Sequence, residues 1–195
     1  KLELKKYGGY ILSYNGGEIT NWQTGELMYE NVLDADVLPY LYQCAKENNF
    51  AIVTYKDKYV LTEHPDDEYV LKEAILNVME TQKVDNFLEA IDFPVAKCLI
   101  VGEATRLAEL EKIMHEALKD RMGVYRSEPY FLELVPKGID KAQSLAVLLE
   151  KIGATKDEMI AVGDGFNDLS MIKFAGLGVA MANAQEVVRQ SADYI

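Results

Sequence analysis

Cysteine is scarce in this chain: Cys44 and Cys98 are the two it has, and both lie in apolar patterns without metal-ligand spacing. That scarcity excludes a disulfide-stapled scaffold and points to buried free thiols in a reducing, cytoplasmic setting. Positive charge is also short. Twenty Lys and Arg face 32 Asp and Glu, for a net charge of −12 and a pI near 4.6. Such a balance argues against general affinity for nucleic acid or for an anionic membrane surface. No apolar run is long enough to span a bilayer, and the start has no secretory signal pattern. Internal repeats and low-complexity tracts are missing too. Apolar residues are plentiful, at 49% of 195 residues, enough for one large or two modest domains with real cores.

The most telling stretch is Met159-Ile-Ala-Val-Gly-Asp-Gly-Phe-Asn-Asp168, an apolar run that stops on a Gly-Asp-Gly turn. It reads as a buried strand delivering carboxylates to its C-terminal end, where open α/β sheets hold their ligands. Asp164 is then a candidate ligand for Mg²⁺, which takes one or two protein carboxylates and fills its octahedron with water and phosphate oxygens. The competing reading is a turn that caps the next helix through Asn167 or Asp168. Upstream, Ala142 to Ile152 has a helical pattern, with Asp140 as N-cap and Gly153 as stop. Lys141 thus falls in the first helical turn, against the positive end of the helix dipole. A lysine there calls for an anion nearby, or else is a solvated surface residue.

Three segments in this order carry a family resemblance: Lys137-Gly-Ile-Asp-Lys141, Gly163-Asp-Gly-Phe-Asn-Asp-Leu-Ser-Met171 and Gly178-Val-Ala-Met181. Together with Tyr7-Gly-Gly-Tyr-Ile-Leu-Ser-Tyr-Asn-Gly-Gly17 they resemble the haloacid dehalogenase superfamily, and within it the Cof-type sugar-phosphate phosphatases. The resemblance implies an α/β fold: a Rossmann-like core of parallel sheet and flanking helices, here partial, with an inserted α+β cap domain. It assigns Lys141 to steadying the charge of a nucleophilic aspartate and of the transferring phosphoryl group. Asp164 becomes a Mg²⁺ ligand, with Asp168 at the metal or supporting the lysine. Asn167, Gly165 and Asn15 are implied substrate-binding positions. Such a division suits phosphoryl transfer, in which the protein mainly positions groups and neutralises charge.

The departures matter as much. Members of the resembled family begin on a strand ending in Asp-x-Asp, whose first aspartate attacks phosphorus, followed by a Ser/Thr motif. Neither is found here. The opening Lys1-Leu-Glu-Leu-Lys-Lys6 resembles a helix end, and Asp34-Ala-Asp36 reads as a loop and helix start. The expectation is therefore an internal piece of a longer phosphatase, inactive as it stands.

The middle of the chain reads as a separate module, giving residues 1–20 and 135–195 to the core and 21–134 to the cap. Its elements are a hairpin over Gly17 to Tyr29 that leads away from the core, a helix from Asp36 to Asn48, strands at Phe50–Tyr55 and Tyr59–Thr62, and a helix from Glu68 to Glu80. A strand at Val95–Val101 follows, then a helix from Thr105 to Lys119 with Leu107, Leu110, Ile113, Met114 and Leu118 on one side, and strands at Gly123–Arg126 and Tyr130–Leu134. His64 and His115 read as an acidic helix start and a solvated helix face. Arg126, near the return to the core, is a candidate for substrate contact. The expected activity is Mg²⁺-dependent hydrolysis of small phosphorylated metabolites, sugar phosphates first among them, through an aspartyl-phosphate intermediate. A phosphomutase and a non-catalytic binding or assembly module are the alternatives, and the oligomeric state is left open.

Overall fold

The computed structural model describes residues 3–195. Lys1 and Leu2, part of the segment read as a helix end, lie outside the described residues. A single turn, α1 (Leu4–Tyr7), leads into β1 (Tyr10–Ser13), β2 (Glu18–Asn21) and β3 (Leu27–Glu30), an antiparallel sheet in that order. The hairpin turn is held by Asn21, whose Oδ1 accepts the N–H groups of Gln23 and Thr24 at 3.0 and 3.2 Å.

The chain forms two compact units: the described residues through Asn31 with Ile139–Ile195, and Val32–Gly138. The divisions thus fall later than residues 20 and 134. Backbone pairing explains both shifts. The β2–β3 hairpin stays with the first unit because β2 is bonded along its length to β1, so it does not lead away as its sequence suggested.

The second unit opens with a 3₁₀ turn (Ala35–Val37) and α2 (Leu38–Glu47), with Pro39 in the first turn, where its missing N–H has no helical partner to lose. Arg121 holds Asp36 at 2.7 Å and Asp34 at 3.5 Å, so the one Asp-x-Asp is a turn tied down by an ion pair. The unit continues through β4 (Ala51–Lys56), β5 (Tyr59–Thr62), α3 (Glu68–Asn77), β6 (Glu80–Lys83), β7 (Cys98–Val101), α4 (Ala104–Leu118), β8 (Met122–Glu128) and β9 (Phe131–Pro136). These strands form one sheet in the order β6-β5-β4-β7-β9-β8, antiparallel except for β5 and β6. Because β9 pairs with β7 as far as Leu134 and with β8 as far as Pro136, the unit runs on to Gly138.

Alternate strand residues Ile52, Cys98, Ile100, Leu132 and Leu134 pack with Leu41 of α2 and with Leu107, Leu110, Met114 and Leu118 of α4. Ile113 departs from the expected stripe, at 63% exposed, while its neighbour Met114 is fully buried. One step on a helix turns a side chain by about 100°, and α4 has room for only one of the two against the sheet. Helix α3 is shorter than its sequence suggested. Val78 adopts a left-handed conformation (φ 55°), ending the helix, and Glu80–Lys83 then pairs in parallel with β5. That strand is all polar, so no hydrophobic alternation announced it.

The chain then returns to the first unit with α5 (Lys141–Ile152), a 3₁₀ turn (Lys156–Glu158), β10 (Ile160–Gly163), α6 (Leu169–Phe174), β11 (Leu177–Ala180) and α7 (Glu186–Arg189). Both ends of α5 follow the sequence. Asp140 accepts the N–H groups of Ala142 and Gln143, and Gly153 closes the helix at φ 71°. Strands β10 and β11 pair in parallel, with Ala161, Ala180, Ile172, Ala184 and Val188 as their core. The expectation of a buried strand holds for one face only. Ala161 and Gly163 are covered, whereas Ile160 and Val162 are 65% and 56% exposed, because a two-stranded sheet packed by helices on one side leaves alternate residues uncovered.

Candidate active site

The end of β10 turns sharply at Gly163, where a Cβ would come within 2.5 Å of the Asp168 Cβ. The missing side chain lets Asp168 fold back beneath the turn. Its Oδ2 accepts the backbone N–H groups of Asp164 and Gly165 at 3.0 and 3.1 Å, and its Oδ1 accepts the Lys141 ammonium at 2.5 Å. Asp168 is thus the anion that Lys141's position on the first turn of α5 called for. Burial by itself would raise the Asp168 carboxyl, but the hydrogen bond from Lys141 and those from Gly165 and Asp164 together outweigh it and hold the group below the ordinary carboxylate value. Both oxygens are committed. This is the geometry of a residue that fixes the lysine and the loop.

Asp164 differs. Its backbone carbonyl accepts the Gln185 N–H at 3.0 Å, and its Oδ2 accepts the Asn183 side-chain amide at 3.2 Å. Among the described residues Oδ1 has no hydrogen-bond donor, and the residue is half-buried. Asn183 was missed in the sequence, although an asparagine just beyond the C-terminal end of a small strand is a signal that could have found it. Gly165 contributes through its backbone, but that N–H already serves Asp168.

Asn15 and Asn167, 152 positions apart in the chain, are brought together: the Asn167 amide donates to Asn15 Oδ1 at 3.2 Å. Arg126 is described within its own unit. It belongs to the second unit, on β8, where its Nε donates to Glu111 Oε2 at 2.8 Å and its Nη1 to the Pro129 carbonyl at 3.3 Å. Among the described residues no set of three His, Cys, Asp or Glu is placed to hold a metal ion, and no helix is long and apolar enough to cross a membrane.

A parallel strand pair ending on an acidic turn, with a lysine from a neighbouring helix start ion-paired to that turn, defines an α/β protein with a charged centre at its strand ends. The comparisons give the family. The model of the haloacid dehalogenase-like hydrolases matches residues 1–195, and the chain belongs to that family. A crystal structure of a haloacid dehalogenase-like hydrolase from Bacteroides thetaiotaomicron is 58% identical, with a TM-score of 0.97 over 100% of this chain and 73% of that one. TM0651 from Thermotoga maritima is 31% identical, with a TM-score of 0.84 over 93% of this chain and 67% of that one. The 5-amino-6-(5-phospho-D-ribitylamino)uracil phosphatase YcsE of Bacillus subtilis is 45% identical over 85 residues, which are 43% of this chain and 34% of that protein. The Cof-type α/β fold with an inserted α+β domain is therefore that of this chain.

Proposed function

We propose that this chain carries the lysine and metal half of a Mg²⁺-dependent phosphatase acting on small phosphorylated metabolites, sugar phosphates in particular. The observation that carries the reading is the Lys141–Asp168 pair set beside an Asp164 carboxylate with an uncommitted oxygen. One hard, half-exposed carboxylate oxygen fits Mg²⁺, which takes few protein ligands, better than it fits ions that need a full protein cage. Charge supports the same choice. Lys141, Asp164 and Asp168 sum to one negative charge, which by itself would repel a phosphate ester. Asp164 would hold the ion, Asn183 would orient that carboxylate, and the ion would supply charge neutralisation at the phosphoryl oxygens when bound.

Lys141 is fixed in direction by Asp168, so its ammonium meets the anionic phosphoryl group without first having to be ordered. The Asn15–Asn167 pair supplies polar contacts around it. Asp168 is turned toward Lys141 and the loop amides, and Asp164 is assigned to the metal. In the family the nucleophilic carboxylate of the aspartyl-phosphate intermediate stands in an Asp-x-Asp strand end that this sequence does not carry, and the expected behaviour of this chain alone is therefore inactivity. The second unit is the cap that selects the substrate, with Arg126 as a candidate contact. YcsE acts on a phosphate ester of a ribityl chain, which supports a phosphorylated polyol or sugar as the class of substrate.

The test is Mg²⁺-dependent hydrolysis of an aryl phosphate by this chain and by the same chain with whatever upstream residues its gene encodes. Activity confined to the longer protein and lost in Lys141→Ala and Asp164→Ala is the expected result. Activity that survives Asp164→Ala, or that needs no divalent ion, refutes the assignment.

A further inference from the structure

We infer that Ser144 is a positioning residue: it pins the strained Tyr14-Asn15-Gly16 turn to the helix that carries Lys141, and so sets Asn15 beside Asn167. Tyr14, Asn15 and Gly16 adopt left-handed backbone in succession, with φ of 52°, 56° and 101°. Ordinary L-residues avoid that region, and two of them side by side persist only where the surroundings hold them. The holding contact is visible. Ser144 Oγ donates to the Gly16 carbonyl at 2.6 Å, and Ser144 is only 3% exposed. The approach is so close that a Cβ on Gly16 would lie 2.4 Å from that hydroxyl.

Ser144 is one turn after Lys141 on α5, so the two share a face. The same helix thus anchors Asp168 through Lys141 and the Asn15 turn through Ser144. Ser144 Oγ also lies 3.1 Å from the Asp140 carbonyl, but that carbonyl already accepts the Ser144 backbone N–H. Removing the hydroxyl therefore falls on Gly16 and on the turn it ends. With Asn15 Oδ1 occupied by Asn167, the Asn15 amide N–H₂ has no acceptor among the described residues. It is a donor suited to an anionic oxygen. The ligand in this inference rests on the phosphatase reading, whereas the positioning itself does not.

The test uses the full chain with Ser144→Ala and Asn15→Gly, singly and combined. Glycine at position 15 deletes the amide in a conformation it tolerates, so the turn still forms. Two readouts are taken: the side-chain amide resonances of Asn167, and the affinity for inorganic phosphate in saturating Mg²⁺. Ser144→Ala is expected to move the Asn167 amide signals in the same direction as Asn15→Gly, to weaken phosphate about tenfold, and to add nothing further to the Asn15→Gly chain. Unmoved Asn167 signals in a folded Ser144→Ala chain would overturn the inference, leaving Ser144 a purely structural residue. Additive losses in the double variant would overturn it as well. Signals that move while no variant alters phosphate affinity uphold the positioning and refute the phosphate reading of the site.

Discussion

Replacing Asp168 by asparagine should cost more stability than removing the lysine it pairs with. Asp168 accepts on two sides at once, from Lys141 on Oδ1 and from two backbone N–H groups on Oδ2, and its side chain is 10% exposed. An amide has only one accepting atom. With its oxygen turned toward the loop, the substituted side chain presents an N–H₂ group to the Lys141 ammonium; with its oxygen turned toward the lysine, it orphans the amides of Asp164 and Gly165. A charge-assisted hydrogen bond contributes about 1.5–3 kcal/mol, and stranding one member of a buried pair costs about 3–5 kcal/mol. Because the Lys141 side chain is 25% exposed, water takes back part of that loss, and Asp168→Asn is expected to cost about 2–4 kcal/mol. Lys141→Met also strands a charge, the Asp168 carboxylate, but that group keeps both loop N–H donors and can take up a proton, so a smaller loss of about 1–2 kcal/mol is expected. The assay is urea unfolding followed by the fluorescence of Trp22, the single tryptophan, which lies in the same unit as the pair. Equal losses, or a larger loss in Lys141→Met, would refute the two-sided account. The pH dependence gives a second check. Since the folded-state carboxyl is held low, its contribution is complete above the ordinary carboxylate range and disappears as pH falls through the depressed value. The Asp168→Asn chain should therefore lose less stability than the parent over that acid range.

Asn183→Ala, which frees Asp164 Oδ2 to rotate, should weaken Mg²⁺ binding about tenfold by calorimetry, and an unchanged affinity would remove Asn183 from the site. Burial pushes the Cys98 thiol from 9.0 up to about 12, so its contribution is present below pH 9 and lost as pH climbs toward 12, when the unfolded thiol ionises first. A difference of that size corresponds to about 4 kcal/mol, and Cys98→Ala should flatten the alkaline loss of stability; parallel curves would contradict it. In α4, Met114→Ala should cost about 2–5 kcal/mol, whereas Ile113→Lys should change stability by less than about 0.5 kcal/mol. Unfolding of the two variants by circular dichroism would reverse the reading of that helix if the order were exchanged.

What was legible in the sequence was local. Helix α5 was readable end to end because its stop signals are side chains and backbone preferences within one turn of it: Asp140 capping the first N–H groups and Gly153 closing at positive φ. The Gly-Asp-Gly turn was legible for the same reason, as was the need for an anion near Lys141. What tertiary structure decided was every choice between equal local options. The sequence did not place Asp168, and only folding back under Gly163 set it against both Lys141 and the loop amides. It put Ile113 and Met114 on the same stripe, and only the sheet beneath α4 chose between them. Ser144 and Asn183 were invisible because each is an ordinary polar residue until chain closure sets it against its partner, and Asn15 was named only through the family resemblance, without its contact to Asn167. Periodicity and capping act over a few residues, and a site assembled across 152 positions is held by contacts that no local pattern encodes.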